Sequence, residues 1–173
     1  MAGLVFDLRK DYHEIGARIT AGISSFCPSA TAATYKPITR IDIKFDLESA
    51  ADGNPCVWAY LDTEPNGEPD SGTSETYDIM RQRAYRGWSA PCNAAHNGIA
   101  VMVISPSGKK VVDNNDAFRE AVGWFFVDLL KSLRDQGAFK CLRCASHCYL
   151  GVDGDTGEFG WPCYEDRGPD NML

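Results

Sequence analysis

No part of this 173-residue chain is apolar for long enough to cross a bilayer: the longest run, Ala121 to Val127, is far short of the ~20 residues a membrane helix needs. Basic charge is also in short supply. Lys and Arg number 17 against 24 Asp and Glu, a net charge of −7, so phosphate backbones and anionic headgroups repel the protein. Neither nucleic acid nor a membrane surface is expected as partner; a protein with a basic surface is. Histidine is scarce, with 3 in the chain, and there is no H-E-x-x-H, P-loop or G-x-G-x-x-G. No complete catalytic set stands out, so no enzyme class is assigned. The N-terminus reaches Asp7, Arg9, Lys10 and Asp11 before an apolar signal core can form, and Gly3 is misplaced for myristoylation. A cytoplasmic location is expected, with the 7 cysteines as thiols.

What is present suits one α+β domain spanning 1–173, with 165–173 a frayed tail. Leu4, Leu8, Tyr12, Ile15, Ile19, Ile23 and Phe26 recur every three or four residues, predicting a helix over 4–26 that Cys27-Pro28 ends. Ile41, Ile43, Phe45 and Leu47 alternate with acids and Lys44, predicting a strand; Asp52-Gly53-Asn54-Pro55 turns it into a second, antiparallel strand over 56–61. A short helix is expected over 75–86, a strand over 99–105 turning into 110–112, and a long helix from a cap at Asp113 or Asn115 to a stop at Gly137. Phe118, Val122, Phe125, Phe126, Leu129, Leu130 and Leu133 form its apolar face, with Trp124 assigned to the core. A strand over 139–152 and a return arm over 158–164 complete an antiparallel sheet built from hairpins, with the long N-terminal and central helices packed on one face.

Cys141-Leu142-Arg143-Cys144-Ala145-Ser146-His147-Cys148 is the most chemical stretch, since three thiols and an imidazole match a structural zinc shell. A strand puts Cys141 on the opposite face from Cys144 and Cys148, and there is no Gly or Pro for a knuckle, so no cofactor is expected; zinc on Cys141, Cys144, His147 and Cys148, or a thiol enzyme built on them, is the alternative. Cys92 and His96 would meet only on a helix, and Pro91, Asn93, Asn97 and Gly98 favour a loop. Asp153, Asp155 and Glu158 imitate the start of a calcium loop, but Gly157 stands in a ligand position. The remaining feature is an acidic loop. From Asp62 to Asp78 there are six carboxylates and no Lys or Arg, beside aromatic residues of the kind that anchor interfaces. Trp58, Tyr60, Asp62, Glu64, Glu68, Asp70 and Tyr77 are therefore the candidate partner-binding set.

Tyr85-Arg86-Gly87-Trp88-Ser89-Ala90-Pro91, a strand, and a long helix closing on Gly137-Ala138-Phe139 together resemble immunity-type domains of bacteria that are encoded beside polymorphic toxins. The resemblance covers about half the chain and transfers no site residues. It implies a non-enzymatic, cytoplasmic protein that binds and blocks a cognate toxin, which agrees with the acidic charge and the acidic aromatic loop.

Overall fold

The alternation of Ile41, Ile43 and Phe45 with Asp42 and Lys44 builds β2 (Ile38–Asp46), and β3 (Cys56–Asp62) pairs antiparallel with it. The computed structural model describes residues 4–29, 36–47, 54–63, 75–154 and 162–166, the last range and positions 146, 147 and 149 by backbone alone. β4 (Thr76–Ala84) pairs antiparallel with β3. On the other edge of β2 lies β7 (Cys144–Gly154), running parallel to it, and β8 (Pro162–Asp166) completes the five-stranded order β4-β3-β2-β7-β8. A second, three-stranded sheet joins β1 (Leu4–Asp7), β5 (Val101–Ser105) and β6 (Gly108–Val112), with β1 parallel to β5. Three α-helices occur among the described residues: α1 (Arg9–Phe26), α2 (Ser89–His96) and α3 (Asn115–Asp135).

The α+β class holds, but both sheets are mixed where one antiparallel sheet was expected. Hairpin reasoning finds only partners that adjoin in sequence. Here β3 occupies one edge of β2, and the other edge takes a strand that arrives after α3 and runs the same way. The expected helix over 4–26 begins only at Arg9, because Leu4–Asp7 pair with β5 and the Asp7 carboxylate accepts the Arg9 N–H at 3.1 Å. The expected helix over 75–86 is the strand β4; register shifts opposite Val57, Ala59 and Tyr60 bury Ile79 and Met80 side by side and hide the period of two. The expected loop at 91–97 is α2, since Pro91 falls in its first turn, where no backbone N–H is needed. The strand expected from Phe139 starts at Cys144, and its return arm is Pro162–Asp166, which takes 165 and 166 out of the supposed tail.

α3 is where the two sheets meet. Its N-cap is Asn114, whose side chain accepts from the Ala117 N–H at 2.8 Å. At its other end Gly137 takes φ +77°, and Gly137 and Ala138 donate to the carbonyls of Arg134 and Leu133, a Schellman closure. Phe118 stacks on Phe6 of the small sheet at 5.5 Å between ring centroids, and Phe126 packs on Phe45 of the large sheet at 5.3 Å. α1 covers the same face of the large sheet further along. Gly22 makes this possible, since a Cβ there would stand 1.8 Å from the Ile79 carbonyl oxygen. Trp124, expected in the core, is 48% exposed and donates to Glu120.

The expectation that all the cysteines are thiols is corrected: Cys27, just past α1, is disulfide-bonded to Cys141, between α3 and β7. Tyr85 and Trp88 are core residues. Their rings stack at 4.9 Å, and the Trp88 indole N–H donates to the buried Asp11 carboxylate at 3.0 Å.

Candidate functional site

With α1 and α3 on one face of the large sheet, the period of two sends the remaining side chains to the other. Arg40, Asp42 and Lys44 project there from β2, Trp58, Tyr60 and Asp62 from β3, Asp78 from β4 opposite Tyr60, and Asp153 from β7 opposite Lys44. The centre of this face is a polar triangle of Arg40, Asp42 and Tyr60. Arg40 donates to Asp42 and, at 3.2 Å, to the Tyr60 hydroxyl, so the guanidinium joins the carboxylate and the phenol. Lys44 stands over the Tyr60 ring at 5.7 Å and pairs with Asp153 at 3.3 Å.

Asp42 is 1% exposed although it sits on the polar face. Gly151 is its neighbour across the β2–β7 pair, and a Cβ on Gly151 would lie 1.9 Å from Asp42 Oδ1. The carboxylate therefore lies down in the space a side chain would fill. Burial pushes the Asp42 carboxyl up to about 6 against the pull of Arg40. Burial also disfavours the charge on Arg40, but Asp42 and Tyr60 outweigh it and hold the guanidinium protonated. Burial and the charge of Asp42 raise the Tyr60 phenol, with Arg40 opposing. The triangle is thus a fixed, hydrogen-bonded charge pair rather than a group poised to react.

Of the partner-binding set, Trp58, Tyr60 and Asp62 share this face, Trp58 and Asp62 half-buried at its rim. Tyr77 lies on the opposite face, opposite Leu61 and against Phe26 at 5.1 Å. Glu64, Glu68 and Asp70 fall outside the described residues. Alternation alone places Asp42 on the polar side of its strand, and it singles out neither Arg40 nor Gly151. The available signal was the alternating charge of Arg40-x-Asp42-x-Lys44, which favours an ion-paired strand face.

The zinc alternative loses a ligand, because the Cys141 sulfur is bonded to Cys27; the His147 side chain lies outside the described residues. Among the described residues no group of three or more His, Cys, Asp and Glu side chains is placed to hold a metal ion. Cys92 and His96 do share a helix, but Cys92 is buried, which pushes its thiol up to about 12, while His96 is exposed. Of the calcium-like acids, Asp153 is paired with Lys44, and Asp155 and Glu158 lie outside the described residues. A concavity of about 250 Å³ lies between α3 and the β5–β6 hairpin, lined by Trp124, Phe125, Lys109 and Lys110 among others. Lys110 there pairs with Glu120 at 3.6 Å. No helix among the described residues is long and apolar enough to cross a membrane.

No protein-family model, no curated protein and no solved structure matches this chain.

Proposed function

We propose that the chain is a protein-binding module whose recognition surface is the charged face of the large sheet, and that its partner presents basic residues there. The observation that carries this reading is the placement of Trp58 and Tyr60 beside Asp62, Asp78 and Asp153 on the sheet face turned away from α1 and α3. Trp58, half-buried, offers aromatic contact area at small entropic cost, the buried Tyr60 supports the surface from beneath, and the acids steer a cationic partner and select against others. Arg40 and Asp42 fix the centre of the surface. The acidic residues Glu64, Glu68 and Asp70 extend the same charge in sequence from Asp62.

The resemblance to immunity proteins makes a basic toxin, held inactive by this acidic face, the partner to try first. The Cys27–Cys141 bond weighs against a cytoplasmic setting for that encounter, because disulfides persist in oxidising compartments. The test is a binding experiment on the isolated partner with wild type, Trp58→Ala and the double reversal Asp62→Lys/Asp78→Lys. The reversal should slow association by about tenfold or more, and added salt should slow the wild type in the same way. Trp58→Ala should instead speed dissociation. Binding that ignores all three would place recognition elsewhere on the molecule.

A further inference from the structure

β7 departs from its ladder beside the disulfide. Cys144 is opposite Ile38 and Tyr149 is opposite Arg40, so β7 advances five residues while β2 advances two. In a regular strand, residues four apart stand about 13 Å from each other. Because Cys144 and Tyr149 stand opposite residues of β2 only two apart, the bulge draws Cys144 and Cys148 well inside that separation. The residues between them have no partner in the β2 register, which leaves the backbone there free to adjust.

We propose that Cys144 and Cys148 form a second disulfide site, which closes by exchange with a small-molecule disulfide of the oxidised glutathione class. Cys144 is partly exposed and Cys148 is buried, so an incoming disulfide meets Cys144 first. The Cys144 thiolate attacks one sulfur of the small disulfide and expels the other half as a thiolate. Cys148 then gives its proton to solvent, attacks the Cys144 sulfur and expels the second thiolate. Two protein thiols are oxidised by two electrons, and one small disulfide is reduced to two thiols. Exposure gives each its role as attacking and resolving group, and the mutual influence of the two thiols acts in the same sense, lowering that of Cys144 and raising that of Cys148. The other two free thiols among the described residues are shielded: Cys56 and Cys92 are both buried, and Cys56 accepts a hydrogen bond from Gln82.

The experiment uses the folded chain with Cys27–Cys141 intact and Cys163→Ser as background, exposed to graded ratios of oxidised to reduced glutathione, alkylated and mapped by mass. Two alkylatable thiols should disappear together, with the loss of two hydrogens localised to Cys144 and Cys148. Cys148→Ser and Cys148→Ala should stop at a stable glutathione adduct on Cys144, and Cys144→Ser should take up none in this segment; near-ultraviolet circular dichroism checks that each is folded. A lasting glutathione adduct on Cys144 while Cys148 is intact would overturn the proposal. So would a Cys141–Cys144 link with Cys27 released, or no reaction at either thiol. The unsubstituted Cys144–Cys148 segment in the background chain decides the matter even where a variant folds poorly.

Discussion

Asp42 carries a charge where water scarcely reaches, and its consequences are measurable. Its carboxyl lies up at about 6 in the folded chain, above the ordinary 3.8. The folded state therefore binds this proton more tightly than the unfolded state. The stabilisation is fullest below about pH 4 and is lost as pH rises through the folded value. Wild-type stability relative to Asp42→Asn should accordingly fall across that window in urea melts taken at successive pH values. A difference independent of pH would mean that the carboxyl titrates as it does in the unfolded chain. Gly151 bears on the same group. Gly151→Ala should cost about 2–4 kcal/mol by pushing a buried carboxylate off its partner, and most of that cost should vanish in an Asp42→Ala background, where nothing is left to displace. A third residue-scale effect lies at Trp88, where replacement by Phe keeps the ring packing but leaves the Asp11 carboxylate without its indole donor. Denaturant melts should show a loss of about 1–3 kcal/mol.

At the scale of elements, what the sequence revealed depended on whether the partner was close in sequence. β2 and β3 and the β5–β6 hairpin were legible because the members of each pair follow one another in sequence. α3 was legible from its apolar stripe and from Gly137, although its cap proved to be Asn114, between the two residues expected. β1 was hidden because Leu4 continues the helical spacing of Leu8 and Tyr12; only pairing with β5, almost a hundred positions away, makes it a strand. β4 was hidden by its irregular register, and the parallel β2–β7 pair by its distance in sequence. The candidate site divides in the same way. Trp58, Tyr60 and Asp62 could be named from their strand and the acids after it. Arg40, Asp42 and Gly151 gain meaning only once β7 lies beside β2. The Cys27–Cys141 bond is equally long-range, joining residues 114 apart, and local spacing could not select it. It ties the end of α1 to the start of the segment entering β7, and in the chain-entropy account a link of that span stabilises by about 4–5 kcal/mol. Cys27→Ala/Cys141→Ala should lower stability by about 2–5 kcal/mol in denaturant melts, and reduction of the wild type should have a similar effect.

For the molecule as a whole, α3 determines whether two sheets behave as one body. Phe118 reaches the small sheet through Phe6, while Phe126 reaches the large sheet through Phe45 and also touches Trp88, at 6.3 Å between ring centroids. Both side chains are fully buried. Truncating either to Ala removes an aromatic ring that the surroundings cannot replace, a loss of about 3–5 kcal/mol. If the shared helix couples the sheets, Phe118→Ala should weaken the distant β2 and β3 as much as the neighbouring β5. Phe126→Ala should likewise loosen β5 along with β2. Native-state hydrogen exchange checks this, with protection in both sheets falling by the same free energy while tryptophan fluorescence and far-ultraviolet circular dichroism trace coincident unfolding curves. Exchange that rises only in the sheet touched by the substitution would mean two separately melting layers. The charged face would then depend on Phe126 and Phe45 alone. Under coupling, a change beneath the small sheet weakens the proposed binding on the large one by lowering the population of the folded state, without altering any residue of the proposed recognition surface.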